Sequence, residues 1–245
     1  MQPMPDPAAG RRAVLAAQLE QLEARVATAC AAAGRDRADI TVIAVTKTFP
    51  ATDVQLLCEL GLTDFGENRD QEAASKVAEC AGMGVTGLRW HFVGQLQTNK
   101  SRSVAGYADV VHSVDRVRLV GALDRAAGEH GRRLDCLVQI DLAEGRSGSA
   151  GRGGALPAEA DQVCAALAEA EQLRLAGVMA VAPQGVAATD AFARLADLHG
   201  RLRSSYPSMT VVSAGMSGDL EAAIAHGATH LRVGRALLGS RPPLR

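Results

Sequence analysis

The chain has 245 residues, 47% of them hydrophobic and 22% charged, with 26 basic against 27 acidic side chains. This is ordinary globular composition, near the upper size for one hydrophobic core, and it excludes a disordered chain. The charge balance, with Arg132 and Arg133 as the best basic cluster, leaves no footprint for nucleic acid, and no run approaches the ~20 apolar residues of a membrane span.

Residues 1–10 are rich in Pro and Ala and read as a flexible tail, without the apolar middle of a secretory signal, so the protein is expected to be cytoplasmic. From Arg11 to Ala33 the pattern is helical, with Val14, Leu15, Leu19, Leu22 and Val26 on one stripe and Gly34 ending it. Short β-branched runs then alternate with amphipathic stretches. Strands are expected at 41–46, 62–65, 89–93, 109–112, 134–141, 173–178, 209–213 and 230–233. Helices are expected at 52–60, 67–80, 95–105, 115–130, 156–170, 187–204 and 217–226, with a short one after Gly234. Eight strand–helix pairs predict an α/β fold, a (β/α)8 TIM barrel formed as a single domain over residues 11–245 with an extra N-terminal helix; a doubly wound sheet is the alternative. A Gly-rich loop at 146–155, RSGSAGRGGA, follows the fifth strand and reads as mobile.

Barrel chemistry collects at the C-terminal ends of the strands. Here those ends carry Lys47, Glu67 and Asn68, His91, Gln95, Gln97, Asn99 and Lys100, His112 and Ser113, Asp141, Ser213 to Gly218, and Arg232 to Arg235. The chain holds 23 arginines but only three lysines, Lys47, Lys76 and Lys100. A position that keeps lysine against this bias can require an amine that loses its proton, which guanidinium does not supply. Lys47 ends an apolar β-branched strand, where desolvation would lower its pKa and free an amine to attack an aldehyde. A strand-end lysine that is solvated or salt-bridged satisfies the same spacing.

Downstream, Gly215 and Gly218 flank Ser217, which suits a helix N-cap, and small residues let backbone N–H groups approach an anion. The Gly234–Arg235 turn would complete a phosphate cradle after strands seven and eight, with Asp219 and Glu221 expected to point away from it. An amine and a phosphate cradle at one barrel mouth describe a ligand with an aldehyde and a phosphate. Pyridoxal 5'-phosphate fits, and so does the sugar phosphate of a Schiff-base aldolase.

The segments AVTKTFP (44–50), FGENRDQE (65–72), WHFVGQLQTNK (90–100), HSVD (112–115), GVMAVAP (177–183) and SAGMSGDLEAAIAHGATHLRVGRALLG (213–239) resemble the YggS/PROSC family of pyridoxal phosphate homeostasis proteins, in order and across nearly the whole chain. The resemblance implies a barrel like the N-terminal domain of alanine racemase, with pyridoxal 5'-phosphate as a covalent aldimine on Lys47. It implies Asn68 near the cofactor, Ser213, Gly215, Met216 and Ser217 in the phosphate loop, and Arg232, Gly234 and Arg235 at the phosphate and pyridine end. It further implies a role in intracellular vitamin B6 homeostasis, with pyridoxal phosphate-dependent apo-enzymes as partners and no established robust catalytic activity. The chain departs from the family at Arg235, usually Ser or Thr, at Arg146, commonly Lys, and at Ala214, commonly Met.

An amino-acid racemase of alanine racemase type is the alternative, but two-base racemisation needs a second acid/base opposite the lysine. The chain runs only six residues past Gly239, and Tyr107 and Tyr206 fall away from the expected mouth. His91 reads as an interior packing residue or a proton carrier, Lys100 as a solvated or structural ion-pair residue for which the resemblance implies a place near the mouth, and Asp141 and Glu144 as a base or, more commonly at a strand end, hydrogen-bonded scaffolding. Five single cysteines without a CxxC pair and six scattered histidines predict neither disulfides nor a metal.

Overall fold

The computed structural model describes residues 7–143 and 153–240. Helix α1 (Pro7–Ala32) precedes β1 (Thr41–Val45), α2 (Ala51–Glu59), β2 (Asp64–Glu67), α3 (Asp70–Gly82), β3 (Arg89–Phe92), α4 (Ser101–Tyr107), β4 (Val110–Val114) and α5 (Val117–Glu129). The second half runs through β5 (Leu134–Ile140), α6 (Ala160–Glu169), β6 (Leu173–Ala180), α7 (Ala188–Ser205), β7 (Val211–Ser213), α8 (Leu220–Ala225), β8 (His230–Val233) and α9 (Arg235–Leu238). The eight strands are parallel and close in sequence order, β8 pairing with β1 from Thr41 opposite His230 to Ala44 opposite Val233. The expected TIM barrel with an added N-terminal helix is what forms.

Some boundaries differ from the sequence reading. Helix α1 starts at Pro7, so residues 7–10, read as tail, open the helix. Val14 is 47% exposed, because the buried stripe runs through Leu15, Leu22, Val26 and Cys30, and the residue before Leu15 lies about 100° round the helix. Strand β2 lies two residues later than expected and α3 begins at Asp70 rather than 67. Asp64 faces His91 in the barrel interior and Glu67 faces Lys76 of α3, so β2 carries a polar residue on each face, which hides it from a search for apolar runs. The Gly-rich loop falls largely outside the described residues, as do Glu144 and Arg146; its end, Ala155, pairs with β5 through Ala155 N to Gln139 O at 2.8 Å and Asp141 N to Ala155 O at 2.9 Å.

Strand side chains alternate, so each strand sends one set out to the helices and one into the barrel. Val42, Ala44, Phe65, Trp90, Phe92, Val111, Cys136, Val138 and Val233 belong to the large core between sheet and helices. Inside the barrel only a small apolar cluster forms, from Val110, Leu137, Ala176 and Met179. Barrel interiors are usually filled by Val, Ile and Leu; here His91, His112, Gln139, Ser213 and Arg232 are also buried.

Helix α1 lies against α2, α8 and α9. Arg11 fixes one end, donating to both carboxylate oxygens of Asp53 at 3.1 and 2.6 Å and to the Leu238 carbonyl at 3.1 Å. Arg25 fixes the middle, pairing with Glu221 and donating to the Ser217 carbonyl at 2.7 Å. Among the described residues no helix is long and apolar enough to cross a membrane.

The interior histidines make stability depend on pH. Burial pulls His230 down to about 4 and lowers His91 and His112 as well. The unfolded chain binds these protons below about pH 6.5 while the folded chain does not, so stability is complete above that value and is lost as pH falls towards 4. His230 alone would remove about 3 kcal/mol over that window. Urea midpoints should therefore drop steeply from pH 6.5 to 4, with a shallower slope in His230→Gln; midpoints that stay flat in the wild type contradict this account.

Candidate functional site

The C-terminal mouth holds a cavity of about 400 Å³. Lys47, Asn68, Met216, Ser217, Arg232, Gly234 and Arg235 line it together with Phe49, Gly94 and Asp219. Three basic side chains face one acidic one, so the cavity favours an anion. Ser213 and Gly215, expected in the phosphate loop, do not line the cavity, and Ser213 instead accepts a hydrogen bond from Arg232.

Lys47 occupies a tight turn in which Phe49 N donates to Thr46 O at 3.0 Å. It is half-buried rather than desolvated as the sequence reading expected. Thr48 has φ 69°, a left-handed conformation that costs a β-branched residue roughly 1–3 kcal/mol. Helix α3 holds that geometry from behind. Glu72 accepts the Thr48 amide, and one turn later the Lys76 ammonium donates to Thr46 O at 2.7 Å. Lys76, only 5% exposed, also meets Glu67 Oε1 at 2.5 Å and Glu72 Oε1 at 3.4 Å, while Thr46 Oγ donates to Glu67 Oε1 at 2.7 Å. Burial raises the Glu67 carboxyl above its ordinary range, against the opposing pull of Lys76 and Thr46. The backbone on both sides of Lys47 is thus pinned by one buried ion cluster.

Asn68 follows β2, and its half-buried side chain presents an Oδ1 with no hydrogen-bond partner among the described residues. Gly94 permits this placement, since a Cβ there would lie 2.1 Å from the Asn68 carbonyl oxygen. Across the mouth, Gly215 has φ 89° and a Cβ would meet that of Ala223 at 2.6 Å, so the loop after β7 can pass close to α8 only with glycine there.

Ser217 was expected to cap the following helix. Instead α8 begins at Leu220 with Asp219 at its N-cap, and Ser217 Oγ accepts Ala236 N at 3.2 Å, tying the loop after β7 to α9. Glu221 points away as expected, towards Arg25, but Asp219 lines the cavity. Its carboxylate accepts the Met216 amide at 2.6 Å, closing the 216–219 turn on itself. Arg232 is buried in the wall, donating to Ser213 Oγ at 2.6 Å and Ala180 O at 2.8 Å, and burial lowers its pKa to about 10. Arg235 is exposed at the rim.

Other singled-out residues fall elsewhere. Lys100 pairs with Asp70 at 3.7 Å, and Asp141 accepts Ala143 N at 2.9 Å in a local turn. His91 joins a hydrogen-bonded set with Asp64 and His112. Neither tyrosine lines the mouth. Sequence reasoning missed the roles of Glu67, Glu72 and Lys76, although the scarcity of lysine that drew attention to Lys47 applies equally to Lys76. A compact ammonium fits between Thr46 O and two carboxylates, where planar guanidinium would not.

The family described as alanine racemase, N-terminal domain, matches residues 17–242. The pyridoxal phosphate homeostasis protein of Mycobacterium tuberculosis strain H37Rv is 43% identical over 247 residues, covering 94% of each chain. That of Escherichia coli strain K12 is 39% identical over 230 residues, covering 93% of this chain and 97% of its own. Among solved structures, PipY of Synechococcus elongatus with PLP bound superposes with a TM-score of 0.79 at 33% identity, over 92% of this chain and all of PipY.

Removing the buried ammonium should expose the cost of the cluster. Lys76→Met strands Glu67 as an unpaired buried charge and should lower unfolding free energy by about 3–5 kcal/mol in urea titrations. The double variant Lys76→Met/Glu67→Gln should regain part of that loss. Equal losses in the single and double variants would contradict the assigned pairing.

Proposed function

Because this chain belongs to the alanine racemase N-terminal domain family, and within it to the YggS/PROSC pyridoxal phosphate homeostasis proteins, we propose that it binds pyridoxal 5'-phosphate and acts in intracellular vitamin B6 homeostasis. The observation that carries this reading is the meeting of one primary amine with two glycine-containing loops and two arginines around a single cavity. The donor set suits the cofactor. Lys47 is the amine for its aldehyde; the 215–218 loop and the Gly234–Arg235 turn suit its phosphate; Asn68, with an unpartnered Oδ1, and Arg232 remain for the ring.

Pyridoxal phosphate supplies an aldehyde that condenses reversibly with a primary amine and a phosphate that basic, amide-lined loops neutralise. The chain's own contribution is placement. The Thr46–Phe49 turn holds Lys47 at the mouth, Ser217 Oγ locks the two phosphate loops together through Ala236 N, and Arg232 offers fixed donors from the wall. The site departs from the family at Arg235, where a charged contact from the rim takes the place of a hydroxyl.

Binding is favoured over turnover. Racemisation needs a second acid/base opposite the lysine, worth about 10²- to 10⁴-fold. Tyr107 is buried, with its phenol raised above the ordinary range by burial, and neither it nor Tyr206 lines the cavity. The reading is therefore of a cytoplasmic carrier that holds the cofactor and exchanges it with pyridoxal phosphate-dependent apo-enzymes.

The loaded protein should be yellow, with a visible band that shifts on borohydride reduction. Lys47→Ala should lose that reducible band yet keep weakened phosphate-driven binding, whereas Ser217→Ala should keep the band with about tenfold weaker affinity, the equivalent of one hydrogen bond. Complete and equal loss in both folded variants would contradict a shared site. A colourless protein that forms an imine only with added sugar phosphate would indicate the aldolase instead, and rapid inversion of single amino-acid enantiomers would indicate a racemase.

A further inference from the structure

Five polar residues from five strands are linked through the barrel interior. Asp64 Oδ1 lies 2.9 Å from His91 Nε2, His91 Nδ1 lies 2.8 Å from His112 Nε2, His112 Nδ1 lies 3.0 Å from Ser213 Oγ, and Arg232 Nη1 reaches Ser213 Oγ at 2.6 Å. The ends fix the direction, because guanidinium only donates and an ionised carboxylate only accepts. Arg232 therefore donates to Ser213, Ser213 to His112 Nδ1, His112 Nε2–H to His91 Nδ1, and His91 Nε2–H to Asp64. Each ring then carries one proton and is neutral.

The reverse direction would set a ring lone pair against the Asp64 carboxylate unless a ring took a second proton. Burial opposes that: both rings are lowered, His112 well below its ordinary value. Burial also raises the Asp64 carboxyl, but hydrogen bonds from His91 and Thr63 outweigh it and hold the group below its ordinary range, hence ionised. The other ionisable groups acting on the two rings are Arg89, Asp109, His230 and Arg232. Three of them, Arg89, His230 and Arg232, disfavour a second ring proton.

We propose that Asp64, His91, His112 and Ser213 are positioning residues, a one-way hydrogen-bonded chain that fixes Arg232 in the cavity wall and couples its charge to a carboxylate at the opposite end of the barrel. Arg232 needs such support, since its immediate acceptors, Ser213 Oγ and Ala180 O, are neutral. A guanidinium has five N–H donors, and the chain leaves the remaining ones set for an acceptor atom in the cavity. The functional consequence rests on the reading that the cavity holds pyridoxal phosphate, where Arg232 would face an acceptor of the ring or phosphate.

The first test uses the protein without added ligand. Long-range proton–nitrogen correlation spectra should show His91 and His112 as neutral Nε2–H tautomers from pH 8 to 6. A cationic ring or an Nδ1–H tautomer at either position overturns the chain. The second test releases one end: Asp64→Asn can donate as well as accept, so the tautomer populations of His91 and His112 should become mixed. With pyridoxal phosphate added, affinity by absorbance titration should fall about tenfold in Asp64→Asn and in Ser213→Ala, as for one unpaired buried donor, with the reducible band retained. Ser213→Thr, which keeps the hydroxyl, should restore affinity to within about threefold of wild type. Unchanged tautomers and unchanged affinity in both Asp64→Asn and Ser213→Ala would overturn the positioning role. Failure of the wild type to bind pyridoxal phosphate would instead defeat the functional reading, while the ligand-free spectra would still decide the chain.

Discussion

The placement of Lys47 depends on an ammonium buried one helix away. Moving a lysine charge out of water costs several kcal/mol unless it is paired and hydrogen-bonded, and Lys76 meets that condition through Glu67, Glu72 and the Thr46 carbonyl. In return the residues on either side of Lys47 lose their freedom: Thr46 is held through its carbonyl and hydroxyl, and Thr48 is held by its amide in a left-handed conformation. The Lys47 amine is then presented at the mouth by a turn hydrogen-bonded on both sides, a placement that would suit preorganised chemistry.

A second consequence concerns where the barrel keeps its stability. The continuous apolar core lies between strands and helices, while the interior holds only a small apolar cluster. At the N-terminal side Asp135 bridges Arg89 at 2.5 Å and Arg174 at 2.6 Å, and above it the histidine chain leads to Arg232. Folding strength is carried outside and polar organisation inside, so the axis of the barrel is available to orient the site.

Much of this was legible in the sequence, because βαβ periodicity, the β-branched run before Lys47 and the glycines at 215, 218 and 234 are local signals. The meeting of Lys47, Asn68 and the loops after β7 and β8 follows from barrel closure alone. What stayed hidden is set by tertiary contact. Ser213 meets His112 across 101 residues of chain, a pairing no spacing rule reports. Strand β2 lies later than its apolar pattern predicts because Asp64 and Glu67 face polar partners, and Ser217 does not cap α8 because Asp219 closes the 216–219 turn and leaves the hydroxyl to Ala236. Asp64, Ser213 and Ser217 each meet a partner far away in the sequence.

The central claim is that the amine of the pinned turn, and no other, holds the cofactor. Peptide mass spectrometry after pyridoxal phosphate loading and borohydride reduction tests it most directly. The account predicts a single pyridoxyl adduct on Lys47; an adduct on Lys76 or Lys100, or none at saturation, would contradict it.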